Sequence, residues 1–239
     1  MSDPHAEYPW NRPEWRESLR SFGAPLGFGP EHEELLAQAF THRGLSEEAP
    51  HGDNERLELL GDAVLALVVS EHLYHAYPDE REGRLTKMKI TYVAEPSLAR
   101  AAEALELGAL LAVAPADDAA GVRERPSTLS DLFEAVLGAL YLAQGLEAAR
   151  HFVLRELVRR VDPDEVRDYK SRLQELWQER QRVTPVYRTS AESGPAHNRV
   201  FLSEAMVGDR VLGVGRGGSK KVAEQEAARE ALLRERGED

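Results

Sequence analysis

The chain has 239 residues, of which 42% are apolar, and a formal net charge of −12, which is enough for two small domains with packed cores and too apolar for a disordered polymer. It contains no cysteine, so disulfides, thiolate metal sites and cysteine nucleophiles are excluded together. Its longest apolar run, Ala63-Val64-Leu65-Ala66-Leu67-Val68-Val69, is far too short to span a bilayer, and the first twenty residues lack the apolar stretch of a secretory signal; a soluble cytoplasmic protein with no membrane partner is expected.

The charge is unevenly spread. Residues 1–162 hold 16 Lys/Arg against 28 Asp/Glu, whereas residues 163–239 hold 14 of each. The acidic excess therefore lies wholly in the first two-thirds. A solvated acidic surface would give this, and so would a domain that gathers carboxylates around cations.

From Pro13 to about Val161 the apolar spacing predicts helices, among them residues 33–41, 54–77, 96–107, 128–144 and 146–161, with Gly and Pro between them. Residues 112–126 read as a loose loop, and residues 1–12 give no pattern. A boundary is expected near residues 162–167. Beyond it the pattern predicts a helix over 170–182, short strands over 186–189, 200–206 and 210–215, and a last helix over about 220–236. The expected organisation is an all-α domain over 13–162, a linker over 163–168 and a small α+β module of order α-β-β-β-α over 169–237.

Within the second predicted helix, Glu55, Glu58 and Asp62 fall within roughly 60° of one another at about 100° per residue. Leu57, Leu60, Val64 and Val68 take the opposite side, and beyond Asp62 no polar side chain follows until Ser70. Such a helix is expected to pass through a core with its carboxylates at the mouth. The design recurs at Asp131-Leu132-Phe133-Glu134, which precedes the apolar run Ala135–Leu140. Gly61 and Gly138 each cost about 1 kcal/mol relative to Ala in a helix interior, a cost that a close crossing of the two helices would explain. Glu58, Asp62, Asp131 and Glu134 would then converge, and oxygen ligands without imidazole or thiol suit Mg²⁺ before Zn²⁺. The competing reading is capping: Asp131 as an N-cap with Glu134 at N3, or Thr128 and Asp131 as a capping box.

Gly213-Val214-Gly215-Arg216-Gly217-Gly218 satisfies G-x-G-x-x-G between a predicted strand and a predicted helix. A dinucleotide fold also needs a further parallel strand ending in an acidic residue, for which about twenty residues leave no room. Gly218-Ser219-Lys220 reverses the order of a nucleotide phosphate loop. No nucleotide cofactor is expected. Lys220 and Lys221 nevertheless open a helix at its positive end, where free amides and two cations make a local anion site; two solvated lysines are the bland alternative.

The stretch Asn54-Glu55-Arg56-Leu57-Glu58-Leu59-Leu60-Gly61-Asp62 resembles the signature of the ribonuclease III family, departing from it at Leu59, where the family usually has Phe. Thr41-His42-Arg43, Glu82-Gly83 and Asp131…Glu134-Ala135 resemble its other blocks in order. The resemblance implies a double-strand-specific endoribonuclease active in processing rRNA and other structured precursors. Glu58, Asp62, Asp131 and Glu134 would bind catalytic Mg²⁺, with Mn²⁺ able to substitute, and Asp62 and Glu134 would be catalytic. Glu55 and Glu82 would be outer acids of a cleavage valley, and the products would carry 5′-phosphate and 3′-hydroxyl ends. It further implies a homodimer in which the residue at position 59 enters a socket on the partner. Residues 169–237 resemble a double-stranded-RNA-binding domain, in which Gln174, Glu175, Gln178 and His197 would face minor grooves and Lys220 and Lys221 would span phosphates. A non-cleaving RNA-binding relative is the alternative that the same likeness leaves open.

Overall fold

The computed structural model describes residues 8–161, 169–191 and 200–236. The chain divides into two compact units, residues 1–162 and 163–239. The expected linker over 163–168 lies outside the described residues.

The first unit is helical: α1 (Pro13–Gly23), α2 (Glu33–Ala39), α3 (Glu55–Ala76), α4 (Glu82–Val93), α5 (Glu95–Ala104), α6 (Leu107–Leu110), α7 (Pro115–Ala119) and α8 (Pro126–Glu156). Its core is built on α3 and α8, whose apolar runs bury Val64, Leu65, Val68 and Val69 on one and Leu132, Phe133, Val136, Leu137 and Leu140 on the other. α8 is long and apolar enough to cross a membrane by length and composition, yet half of its apolar window is buried inside the unit. At Gly145 the backbone takes φ 77°, a conformation that favours glycine, and the helix kinks there; the two segments expected over 128–144 and 146–161 are this one kinked helix.

The glycines mark the crossing. A Cβ on Gly61 would lie 1.8 Å from the Glu134 carbonyl oxygen, and one on Gly138 would lie 2.2 Å from the Leu57 carbonyl oxygen. Backbone meets backbone at this point, so no side chain fits. Gly61→Ala is therefore expected to destabilise the protein by ~1–3 kcal/mol or more through overpacking, outweighing the ~1 kcal/mol by which Ala favours a helix interior. Thermal unfolding checks it: a melting point equal to wild type would mean that the helices do not touch there.

Two expectations are corrected in this unit, and a segment that gave no pattern in sequence finds its place. Residues 112–126 are ordered rather than loose: they form α7 and a 3₁₀ turn (Val122–Glu124), bury Val122, and are tied down by Arg123, which donates to the Leu111 carbonyl and pairs with Asp118 at 2.6 Å. Apolar spacing gives no sign of the turn, because its anchor is a backbone carbonyl 12 residues upstream. Packing also begins before Pro13. Trp10 is buried against Leu45, Ala49 and Ala112, and it stacks on Tyr8 with ring centroids 4.7 Å apart. Finally, α3 is not enclosed on all sides. Leu59 is 75% exposed, and Leu67 and Tyr74 are exposed on the same side of the helix. Apolar composition gives no sign of which stripe the chain itself covers.

The second unit has α9 (Tyr169–Gln181), β1 (Val186–Ala191), β2 (Phe201–Val207), β3 (Arg210–Gly217) and α10 (Lys220–Arg236). The strands form an antiparallel sheet of order β1-β2-β3, in register at Thr189↔Ser203 and Ser203↔Gly215, with an irregularity at Ala205/Met206. Tyr169, Leu173 and Trp177 of α9 and Ala227, Ala228 and Ala231 of α10 close the core against Ala205 and Leu212. The glycine-rich stretch is part of this packing. Gly213, Gly215 and Gly217 alternate along β3 on one face, where a Cβ would strike Ala227, Ala231, Ala223 or Val222 at 2.1–2.5 Å. Their period is that of a strand, and they let α10 lie against the sheet.

Candidate metal centre and RNA interface

In the first unit, the α3–α8 crossing brings the carboxylates together. Glu58 on α3 and Asp131 and Glu134 on α8 each offer an oxygen within 4.8 Å of the others. The side chains are partly buried, since the crossing lies at the edge of the apolar core. Burial is the main cause that pushes Glu134 up to about 8, reinforced by the charges of Asp62, Glu58 and Asp131 in that order. Glu58 is raised by burial and then by Asp131 and Glu55, with Arg43 opposing. Asp131 is raised by burial, again against Arg43. Such shifts are the signature of like charges gathered in a partly dry site. Three carboxylates confined in this way could hold a cation, and an all-oxygen donor set fits a hard one.

The capping reading of the second pair does not hold. α8 begins at Pro126 with no acidic residue in its first turn, so Asp131 and Glu134 lie beyond the reach of its free amides. Glu55 and Glu58 do occupy the first turn of α3, although there the side-chain acceptor is Asp53, which takes the Glu55 amide at 3.1 Å.

The other expected residues divide. Asp62 is exposed on α3, outside the mutual cluster of three, but its charge acts on Glu134. Glu55 is exposed, lies 3.7 Å from Arg43 and lines a cavity of about 350 Å³ beside Glu58 and Asp131. Glu82, at the start of α4, accepts from Thr86 at 2.8 Å and lines a different cavity, with Tyr74 and Lys89. The single chain does not bring it to the cluster.

Residue patterns alone overlooked His42 and Arg43 as neighbours of the acids. His42 Nδ1 accepts the Gly44 amide at 3.2 Å, and burial lowers its pKa, so the ring is neutral with Nε2 protonated; Asp117, 3.6 Å from Nδ1, opposes the shift without reversing it. Thr41-His42-Arg43 was the available signal, lying just ahead of the acidic helix.

In the second unit, Gln174, Glu175 and Gln178 are exposed on α9, while Leu173 and Trp177 are buried and Leu176 packs against the same core. Gln178 donates to Thr184 at 3.2 Å. Lys220 and Lys221 are exposed at the start of α10, where the Ser219 hydroxyl accepts the Val222 amide at 3.2 Å. Lys170, by contrast, is held by Glu224 and lies 4.5 Å from the Tyr187 ring centroid. His197 lies outside the described residues.

A helical domain with a partly buried acidic cluster, followed by an α-β-β-β-α module that presents paired lysines, is an arrangement suited to a nuclease with an attached RNA-binding fold. Comparison with known proteins agrees. Residues 32–161 match the model described as Ribonuclease-III-like, and residues 169–234 match the double-stranded RNA binding motif. Proteins named Ribonuclease 3 from Bacillus cytotoxicus and Bacillus cereus are each 46% identical over 224 residues, covering 91% of this chain and 91% of their own. A solved nuclease domain of ribonuclease III from Campylobacter jejuni, described for flexibility in a region involved in dimer formation, is 38% identical, with a TM-score of 0.55 over 59% of this chain and 96% of its own. The chain belongs to the ribonuclease III family, as an endoribonuclease with a double-stranded RNA binding domain.

Proposed function

We propose that this chain is a Mg²⁺-dependent endoribonuclease that hydrolyses both strands of duplex RNA as a cytoplasmic homodimer, leaving 5′-phosphate and 3′-hydroxyl ends on rRNA and other structured precursors. The observation that carries the reading is the convergence of Glu58, Asp131 and Glu134 within 4.8 Å at the helix crossing. Glu58, Asp62, Asp131 and Glu134 would hold the ion, with Mn²⁺ able to substitute. When bound, it would polarise the scissile phosphate and lower the pKa of a water. Glu134 must give up the proton it holds near neutrality to become a ligand, and Asp62 and Glu134 are the residues assigned to catalysis. Glu55 would line the valley beside them, as would Glu82 where a second subunit supplies it.

The second domain would hold the duplex by shape. Its exposed Gln174, Glu175 and Gln178 suit the hydroxyl-lined minor groove, with His197 at a second contact, while Lys220 and Lys221 suit phosphates. This explains how a module with zero net charge binds a polyanion: its cations are clustered. Replacing Lys220 and Lys221 with Ala is expected to weaken duplex binding and flatten its salt dependence by up to ~0.9 log unit per contact on the B-DNA scale. Binding titrations at several salt concentrations check this, and an unchanged slope would remove both lysines from the backbone contact.

The deciding experiment for the whole reading is cleavage of a long RNA duplex with Mg²⁺, with Mn²⁺ and with a chelator. A chain that binds the duplex but never cuts it would be the non-cleaving relative.

A further inference from the structure

His51 stands in the loop that leads into α3, and its imidazole is almost enclosed, with 4% of the side chain exposed. Three elements close on it. Trp10, in the N-terminal turn (Pro9–Asn11), meets the ring at right angles with centroids 5.6 Å apart. Thr41, just beyond α2, places its hydroxyl 2.9 Å from Nε2. Glu34 of α2 comes within 3.4 Å of Nδ1, and Arg16 of α1 pairs with the same carboxylate at 3.0 Å. Among the described residues, Glu34 and Arg16 are the charges that act on the ring.

The hydrogen bonds fix the form of the ring for which this pocket is built. The Thr41 hydroxyl has one proton and gives it to the Ala37 carbonyl at 2.8 Å, so it can only accept from the imidazole. Nε2 therefore carries the proton of the neutral ring. Nδ1 is left as a buried acceptor with no hydrogen bond, facing the Glu34 carboxylate. A second proton would go to Nδ1 and gain Glu34, but that carboxylate is largely in water and is shared with Arg16. Burial outweighs it, and the pKa of the ring lies below the ordinary histidine value.

The same ring joins several segments. Asn54, at the end of its loop, donates its amide to the Thr41 carbonyl at 3.0 Å. Trp10 packs on Leu45, Ala49 and Ala112, and its carbonyl accepts from Arg16 Nε at 2.8 Å. The N-terminal turn, α1, α2 and the approach to α3 thus meet at one titratable side chain, and water reaches it when the turn or the loop lifts.

We infer that His51 is an acid-sensitive fastener: neutral, it closes the N-terminal turn and the loop over residues 46–54 onto α2, and its protonation favours a local opening of both. In the open form the ring titrates near 6.5. In the closed form it takes its proton at lower pH, so the advantage of closure is complete above about 6.5 and shrinks as pH falls below it. The loop runs directly into Glu55 at the start of α3, so opening frees the approach to the acidic helix. The device needs neither metal nor RNA, and it holds whether or not the chain cuts a duplex.

Amide hydrogen exchange of the full chain in chelator, corrected for the intrinsic effect of pH, tests this. Between about pH 7.5 and about pH 5.5, opening of residues 8–16 and 46–54 in wild type should rise about threefold to tenfold, the ceiling being set by an ordinary histidine pKa near 6.5. Residues 132–140 of α8 should keep their protection. His51→Gln still has a donor for Thr41 but does not titrate, and its opening should be the same at both pH values. Glu34→Gln removes the charge that favours the imidazolium, so its acid opening should exceed that of wild type. NMR titration of the His51 ring in wild type gives an independent reading and should place it below 6.5. An equal acid response in wild type and His51→Gln would overturn the inference, as would a His51 that titrates at or above 6.5 in the folded chain. So would a Glu34→Gln variant that opens less than wild type, or exchange in α8 that rises in step with the two segments.

Discussion

Glu134→Gln is expected to abolish cleavage of duplex RNA in Mg²⁺ while leaving duplex binding near wild type. The amide keeps the size and hydrogen bonding of the carboxyl but cannot supply the charge that a hard cation requires. Metal assistance is worth several kcal/mol, and at 1.36 kcal/mol per decade its loss corresponds to roughly a thousandfold or more in rate. Cutting within tenfold of wild type would remove Glu134 from the ligand set. Glu47→Gln, at an exposed acid on the surface, serves as control.

The same variant has a stability signature in chelator. Glu134 titrates at about 8 in the folded chain, well above an ordinary carboxyl, chiefly through burial. A raised pKa contributes stability that is complete below the unfolded value, near 4.3, and is lost as pH rises through 8. Glutamine does not ionise. Glu134→Gln should therefore melt with the wild type near pH 4 and progressively above it toward pH 8. A constant difference across that window would mean that the carboxyl is not desolvated. Activity and stability thus respond in opposite directions to one substitution, which no purely structural role for Glu134 would produce.

Leu59→Asp is expected to convert a dimer into a monomer. Leu59 is 75% exposed in the single chain, with Leu67 53%, Tyr74 67% and, on α4, Ile90 58% exposed. Leu59, Ala63, Leu67 and Tyr74 share one side of α3 at helical spacing, so the outer face of a core helix carries an apolar stripe that the described residues leave uncovered. In the proposed homodimer a second copy covers it. Burying one Leu is worth ~1.5–3 kcal/mol, and an Asp would place an unpaired charge in the contact, next to a carboxylate cluster that already repels it. The substitution should leave the monomer folded, because position 59 meets solvent there. Light scattering at micromolar concentration is the check. A wild-type mass near the 26.6 kDa of one chain, or an Asp variant that stays fully dimeric, would take Leu59 out of the interface and with it this account of how both strands are cut.

Local chemistry alone determined a good deal about this protein. The periodicity around Glu55, Glu58 and Asp62, the repeat of the design at Asp131 and Glu134, and the two helix-interior glycines were sufficient to predict a close crossing of two core helices with acids at its mouth. Each of these is a relation between residues a few positions apart on one helix, and helix geometry is fixed over that distance. The switch to alternating residues after residue 185 likewise marked the three-stranded module. Tertiary structure alone decided the rest, because it depends on which distant surfaces meet. Gly213, Gly215 and Gly217 match a glycine-loop pattern that the sequence rejects without replacing it, and only the packing of α10 on β3 explains why they are glycine. Asn54 and Thr128 look like helix-start residues in sequence, and only the packing of α3 against α8 leaves them largely buried along one cavity. The apolar run of α3 could not say which of its stripes the chain covers. That depends on the placement of helices far away in sequence, and the stripe bearing Leu59 is the one they leave open.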